Sequence, residues 1–498
     1  MRPMRRHRLL LLPPLAALAL LAAACGGATT STPASSAPGG SSIAPASAAA
    51  FVSLVTDSGS AQWKQAEAIL NKFPGKDKLI ASIEKGLRGQ DLSYQQDVKP
   101  ALGAEVDVVL LGFDQSSRDV VALTQPKDDA SFKALLAKLD AKDPSKTVTG
   151  EYKGWTLVSD KQAAIDRFKA EADKGSLADD GTFKESMANE PGDALAKAYV
   201  NGAALGQLLG GLSGQLGSCG GQAGASKLRY VGASLAAQSN GVKLHASLQS
   251  DGASKGSTYS SQLVSQIPSG ALLVLSFHGS PQTSLGIQDA LQSCKNGQAG
   301  QTLQGFEQLL GIKLSDLGAL FKKESAIYVR TGSPIPEVTF VSQQDDPQQA
   351  LATLDAVVTR LGGLLGGAQP QSTTIDGVPA KKIVVGGRVS IFYAALKGEI
   401  VLSDSEAGIR DLRSSGPKLK DDVAFSDAQK ASAMPDQTSG FLYVDIKDSV
   451  PLIEGLVQLT GKSIPAEVDA NLRPLQTLMV WGASDKGKTD LTAFLAIE

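Results

Sequence analysis

Few side chains in this sequence are of the kinds that make or break bonds, and their spacing gathers none of them into a catalytic group. Beyond position 24 the only histidines are His245 and His278, so a Ser/His/Asp triad would have to take its base from one of them. His245 lies in the alternating run 242–248, VKLHASL, and its parity with Lys243 and Ser247 predicts a solvated strand face. His278 directly follows an apolar run, and neither histidine has an HExxH context or a ligand cluster beside it. The string 455–463, GLVQLTGKS, imitates a phosphate loop but has five residues between its glycines where the motif has four, and it follows a helical pattern. The pairs Asp128-Asp129, Asp179-Asp180, Asp345-Asp346 and Asp421-Asp422 invite a calcium reading. They lack the alternating oxygen ligands of an EF-hand, so helix capping is the expected role. Trp63, Trp155 and Trp481 have apolar neighbours and read as core. No catalytic residue, metal or cofactor is expected, and the chain reads as a non-enzyme.

Cysteine carries the one chemical modification the sequence predicts. Arg2, Arg5, Arg6 and Arg8 form a basic head, residues 9–24 an apolar run broken by Pro13 and Pro14, and Leu21-Ala22-Ala23-Ala24-Cys25 ends it. A 16-residue run with two prolines falls short of the roughly 20 residues that span a bilayer, so residues 1–24 read as a secretory signal. The LAAAC ending resembles the lipobox of bacterial lipoproteins, which implies a diacylglycerol thioether on Cys25. Residues 25–44 then form a lipidated, disordered tether: almost no large apolar residue and no charge occur there, so it cannot offset chain entropy. A chain of that length reaches about 25 Å from the bilayer. The expected location is extracytoplasmic, on the outer face of the cell membrane. Cys219 and Cys294, in an oxidising compartment, are a candidate disulfide closing a 75-residue loop worth about 4 kcal/mol; two free thiols are the alternative.

The elements that must position these residues come in two sets. Removing the signal leaves 44 basic against 50 acidic residues, with no basic patch, so nucleic acid is not an expected partner. The segments 45–54 and 268–277 align at an offset of 223, and five further pairs follow in the same order, with Glu105 on Glu324, LVSD on VLSD, DDGTF on DDVAF, and AYVN on LYVD. This predicts a first repeat over 45–250, a polar linker over 251–266 and a second repeat over 267–498. Strand-length runs at 106–111, 120–123, 195–200 and 242–248 alternate with helical patterns at 61–73, 76–87, 129–139 and 161–172. The links between neighbouring strands are too short for parallel crossovers. The expected fold is α+β: two tandem repeats, each a largely antiparallel sheet with helices packed on one face. Gly/Leu-rich stretches at 205–225 and 361–368 read as weak helix ends.

The motifs SAQWKQAEAILNKFPGKDKL at 60–79, DVKPALGAEVDVVLL at 97–111 and LSDSEAGIRDL at 402–412 resemble the bacterial family of domains of unknown function numbered thirty-three fifty-two. The resemblance implies a secreted or lipid-anchored protein and supplies no site residues. The expected function is that of a non-enzymatic, membrane-anchored binding or scaffold protein of the cell envelope, whose partner is an envelope protein, polymer or lipid. The alternatives are a carrier of lipid or another apolar ligand, and a hydrolase with an unrecognised site.

Overall fold

The computed structural model describes residues 39–112, 119–141, 147–188, 190–206, 228–251, 258–279, 320–332, 335–364, 368–385 and 389–498. Cys25, Cys219 and Cys294, and with them the lipidation and disulfide expectations, lie outside these residues. The chain divides into two compact units. Among the described residues the first holds everything up to 206, Leu228–Leu248 and Glu498; the second is Gln249–Ile497.

In the first unit, β1 (Ala50–Val55), β2 (Glu105–Leu110), β3 (Val120–Thr124), β4 (Val148–Tyr152), β5 (Trp155–Ser159), β6 (Ala196–Asn201) and β7 (Leu228–Gln238) form one antiparallel sheet. Their spatial order is β4-β5-β3-β2-β1-β6-β7. β8 (Gly241–Ser250) follows β7 across a two-residue turn. The helices are α1 (Ala61–Leu70), α2 (Lys76–Arg88), α3 (Asp129–Asp140), α4 (Gln162–Ala172) and α5 (Gly181–Met187).

The second unit repeats this plan. β9 (Ala271–His278), β10 (Glu324–Arg330), β11 (Glu337–Gln343), β12 (Gln371–Ile375), β13 (Val378–Val385), β14 (Val389–Leu396), β15 (Glu399–Ser403), β16 (Gly440–Asp445), β17 (Leu475–Asp485) and β18 (Lys488–Ile497) are its strands. They run β12-β13-β14-β15-β11-β10-β9-β16-β17-β18, every pair antiparallel. The first strand of each repeat is thus central, flanked by the second strand on one side and by the strand bearing Tyr199 or Tyr443 on the other. The helices are α6 (Pro347–Leu364), α7 (Glu406–Arg413), α8 (Val423–Ser432), α9 (Ile446–Leu459) and α10 (Ala466–Leu472).

The main core of each unit lies under helices on one sheet face. α4 contributes Ala164, Ile165, Phe168 and Ala172, a helical stripe that meets Phe51, Val109, Leu123 and Leu157. In the second unit Ile409, Leu412 and Phe425 meet Val274, Tyr328, Val401 and Tyr443. A second helical layer lies on the other side: Phe132 and Leu135 of α3 cluster with Trp63 and Val106, and Ala350 and Leu354 of α6 with Phe340 and Ile400.

The repeated motifs have structural reasons. In DDGTF and DDVAF, Asp180 and Asp422 accept the amides of Phe183 and Phe425, capping α5 and α8. The two phenylalanines then pack edge-on against Tyr199 and Tyr443. Asp128 caps α3, and Asp346 accepts two amides of the first turn of α6. Ser60 caps α1 and Ser405 caps α7, whereas Lys161 precedes α4 with no side-chain cap. The last residues assigned to the tether, 39–44, are not disordered. Residues 39–42 form a 3-10 turn, and Ser41, Ile43 and Ala44 are buried. Of the segment 251–266, Tyr259 bridges Thr438 and Leu263 lies in the second core.

Candidate functional site

The histidines occupy other surroundings than the alternation predicts. On β8 the polar parity, Lys243, His245 and Ser247, is the more protected one, while Leu244 and Leu248 are exposed. His245 Nδ1 lies 2.8 Å from Glu190 Oε1, and the side chain of Glu190 is fully buried. Ser234 donates to the other oxygen of Glu190. A buried carboxylate draws these donors inward, because a buried charge demands hydrogen-bonding partners. Histidine, glutamate and serine therefore meet, but Ser234 donates its hydrogen bond to the carboxylate and not to the imidazole. That geometry orients a structural histidine and activates no nucleophile. The His278 ring lies against Tyr259, with centroids 5.2 Å apart and the planes tilted by 37°. A Gly-x-Ser-x-Gly string at 252–256 lies outside the described residues. Among the described residues no group of three or more His, Cys, Asp or Glu could hold a metal, and the glycine string at 455–461 leaves the end of helix α9 and not a strand.

Two carboxylates, Glu105 half-buried and Glu324 buried, take equivalent roles in the repeats. Glu105 accepts the Gly40 amide at 3.1 Å. Glu324 accepts the Gln262 amide at 2.7 Å, the Leu263 amide at 3.3 Å and the Ser276 hydroxyl at 3.2 Å. Each glutamate thus pins the turn that leads into the first strand of its repeat. Burial pushes the Glu105 carboxyl up, opposed by the Gly40 and Gly39 amides. Beside it Asp107 is fully buried, and among the described residues neither of its oxygens meets hydrogen-bond geometry with a partner. Burial, reinforced by Glu105, holds the Asp107 carboxyl well above the usual carboxylate range; Ser53 and the Gly40 amide lean the other way without forming aligned bonds.

The face opposite the main core is apolar. In the second unit the register aligns Phe340, Ile327, Leu275, Leu442, Val480 and Ala493 in one cross-strand row. The adjacent row is Val338, Val329, Leu273, Val444, Leu478 and Leu495. With the described residues in place all twelve are half-buried or exposed, Leu275 at 38% and Val338 at 44%. Six strands at about 4.8 Å give each row a span of about 24 Å. At one end Phe321 stacks between Phe277 and Phe340. The first unit carries the same pattern in smaller side chains: Val158, Ala122, Val108, Val52, Ala198 and Ala233 form one row, and Val120, Leu110, Ala50, Val200 and Val231 the next. All eleven are half-buried. α9 adds apolar surface, since none of its residues is buried and Ile453 and Leu459 are exposed. Among the described residues no helix is long and apolar enough to cross a membrane.

These rows were not anticipated as a site. Their signal is in the strands themselves: AFVSLV and ALLVLSF carry apolar side chains at both parities, as strands with two apolar faces do.

The family model described as "Protein of unknown function (DUF3352)" matches residues 10–164 and again 161–497. The chain belongs to this family. The double match of the DUF3352 model accords with two repeats of one strand order, and the family description names no enzyme activity. No curated protein matches the chain. Among solved structures, crystal form I of TP0453 is 12% identical over 45% of this chain and 82% of that one, with a TM-score of 0.23. Crystal form III of TP0453 is 10% identical over the same shares, with a TM-score of 0.22.

Proposed function

We propose that this DUF3352 protein is a non-enzymatic binding protein, anchored by lipid on Cys25 to the outer face of the membrane, whose ligand is hydrocarbon. The supporting observation is the pair of six-residue apolar rows on the second face of the β9–β18 sheet. Contiguous apolar surface of this kind marks an interaction site in a folded protein. A lipid tail suits it in length and chemistry: the strip of about 24 Å exceeds the roughly 15 Å depth of one leaflet's hydrocarbon. Covering about 400 Å² of it would contribute about 10 kcal/mol before the costs of immobilising the ligand. Ser234 and His245 both turn to Glu190 and not to each other, which favours a structural role for these groups over a catalytic one. The sequence-derived lipid anchor supports the same reading, because it keeps the body close to a source of lipid.

The test is to purify the full chain from a bacterial envelope, extract it with organic solvent and identify co-purified lipid by mass spectrometry. Leu275→Asp with Leu442→Asp serves as the comparison. A stoichiometric lipid that the double variant loses, with its circular dichroism unchanged, supports the reading. A lipid-free wild type, or equal lipid in both proteins, refutes it and returns the protein to a scaffold role.

A further inference from the structure

The two repeats differ at one buried contact, and the difference is chemical. By the offset that aligns their first strands, Gly40 corresponds to Leu263; by the offset that pairs Glu105 with Glu324, Asp107 corresponds to Ala326. The register agrees: Ser53 faces Asp107 across β1 and β2, and Ser276 faces Ala326 across β9 and β10. In the second repeat both members of the contact are apolar and fully buried in the core. In the first, a carboxyl replaces the methyl and a glycine replaces the leucine above it.

The fit there is close. A Cβ on Gly40 would lie 1.7 Å from Asp107 Oδ2, and one on Gly39 would lie 2.6 Å from Glu105 Oε1. Only glycines let this turn lie on the two carboxyls. The turn is otherwise well held: Ala44 accepts the Leu177 amide at 2.8 Å, Ala46 donates to Gly175, and Ile43 and Ala44 are buried. A conserved-volume apolar pair would do this job without a titratable group, as the second repeat demonstrates. A buried carboxyl with no aligned partner is tolerable protonated and unfavourable ionised.

We infer that residues 39–44 are a releasable clasp on the first repeat, closed while Asp107 carries its proton and opened when Asp107 ionises. The charged groups around Asp107 favour the closed, neutral state. Glu105 on the same strand is like-charged when ionised. Ser53 on β1 and Leu123 on β3, which flank Asp107 in register, bear no charge. Lys197 on β6, beyond Ser53, is committed to the Gly192 carbonyl at 3.1 Å and interacts electrostatically with Glu105, Glu190 and Asp193. The turn brings no charge of its own. Opening uncovers the end of the first core, where Ile43 and Ala44 are buried.

Hydrogen exchange of the full chain, read by mass spectrometry on peptides covering 39–50 and corrected for intrinsic chemical rates, tests this. Wild-type protection should fall with rising pH, approaching tenfold per pH unit between the free and buried pKa of a single aspartate. Asp107→Asn should remain protected throughout. The double change Gly40→Leu with Asp107→Ala, which installs the apolar pair of the second repeat, should do the same and guards against an artefact of asparagine. Wild-type protection independent of pH overturns the inference. So does an equal pH dependence in the wild type and both variants, since another group would then be responsible.

Discussion

Glu105 and Glu324 hold the same place in the two repeats, each accepting main-chain amides from the turn that enters the central strand of its sheet. The pairing explains why this glutamate is among the few charged residues that align between the halves. It also ranks the contacts. Glu324 is the better satisfied, with two amides and the hydroxyls of Ser261 and Ser276 on one buried carboxylate.

Replacing Glu324 by alanine should therefore destabilise the second unit by about 3 kcal/mol, since several charge-assisted hydrogen bonds are lost and buried donors are stranded. Glu324→Gln, which keeps one acceptor, should cost less. Urea unfolding followed by tryptophan fluorescence measures both. Equal stability of Glu324→Ala and the wild type would refute the anchoring role.

Arg330 joins three elements of the second unit. Its guanidinium lies 2.6 Å from Glu337 Oε1 and 2.7 Å from Asp411 Oδ2, tying β10 to β11 and α7. Arg330→Met should cost about 3–5 kcal/mol, because Glu337 would be left buried without its counter-charge. Adding Glu337→Gln should recover part of the loss. A double-mutant cycle with no coupling between the two positions would contradict the assignment.

Glu399 on β15 gives a pH prediction. Burial raises its carboxyl above the ordinary glutamate value, Glu324 adds to the rise, and Gln266 opposes it. The folded protein then holds this proton at pH values where the unfolded chain has released it. Its contribution to stability is present below the unfolded value and is lost as pH climbs through the folded one. Glu399→Gln should flatten this part of the profile and raise the melting temperature at neutral pH relative to wild type. Melting curves across the acid-to-neutral range check it, and a variant profile parallel to wild type would exclude Glu399 as the source.

Much of this architecture is legible in the sequence. Strand-length aliphatic runs, short connections and the ordered matches between halves carry the antiparallel α+β repeat. The Asp-Asp-x-x-Phe strings carry both a cap and a core aromatic. Lys153-Gly154, Asp376-Gly377 and Lys486-Gly487, each with two positive φ values, mark hairpins. What the sequence hides is which strand face is covered. The period-two pattern of β8 reads as apolar-in, yet the buried Glu190 reverses it by drawing His245 and Ser234 inward. Such a reversal depends on a residue 55 positions away, which no local pattern contains. The apolar second face is hidden for the opposite reason. A strand aliphatic at both parities predicts burial on both sides, and only the assembled sheet reveals that Leu275 and Val338 remain open.

Photocrosslinking tests whether the second sheet face holds hydrocarbon. The full chain would be loaded with a fatty acid bearing a diazirine on its tail, irradiated and digested, and the labelled residues located by mass spectrometry. Adducts are expected on the strands carrying Leu273, Leu275, Leu442 and Val480, competed away by unlabelled lipid. Adducts confined to exposed loops, or labelling that unlabelled lipid fails to reduce, would contradict it.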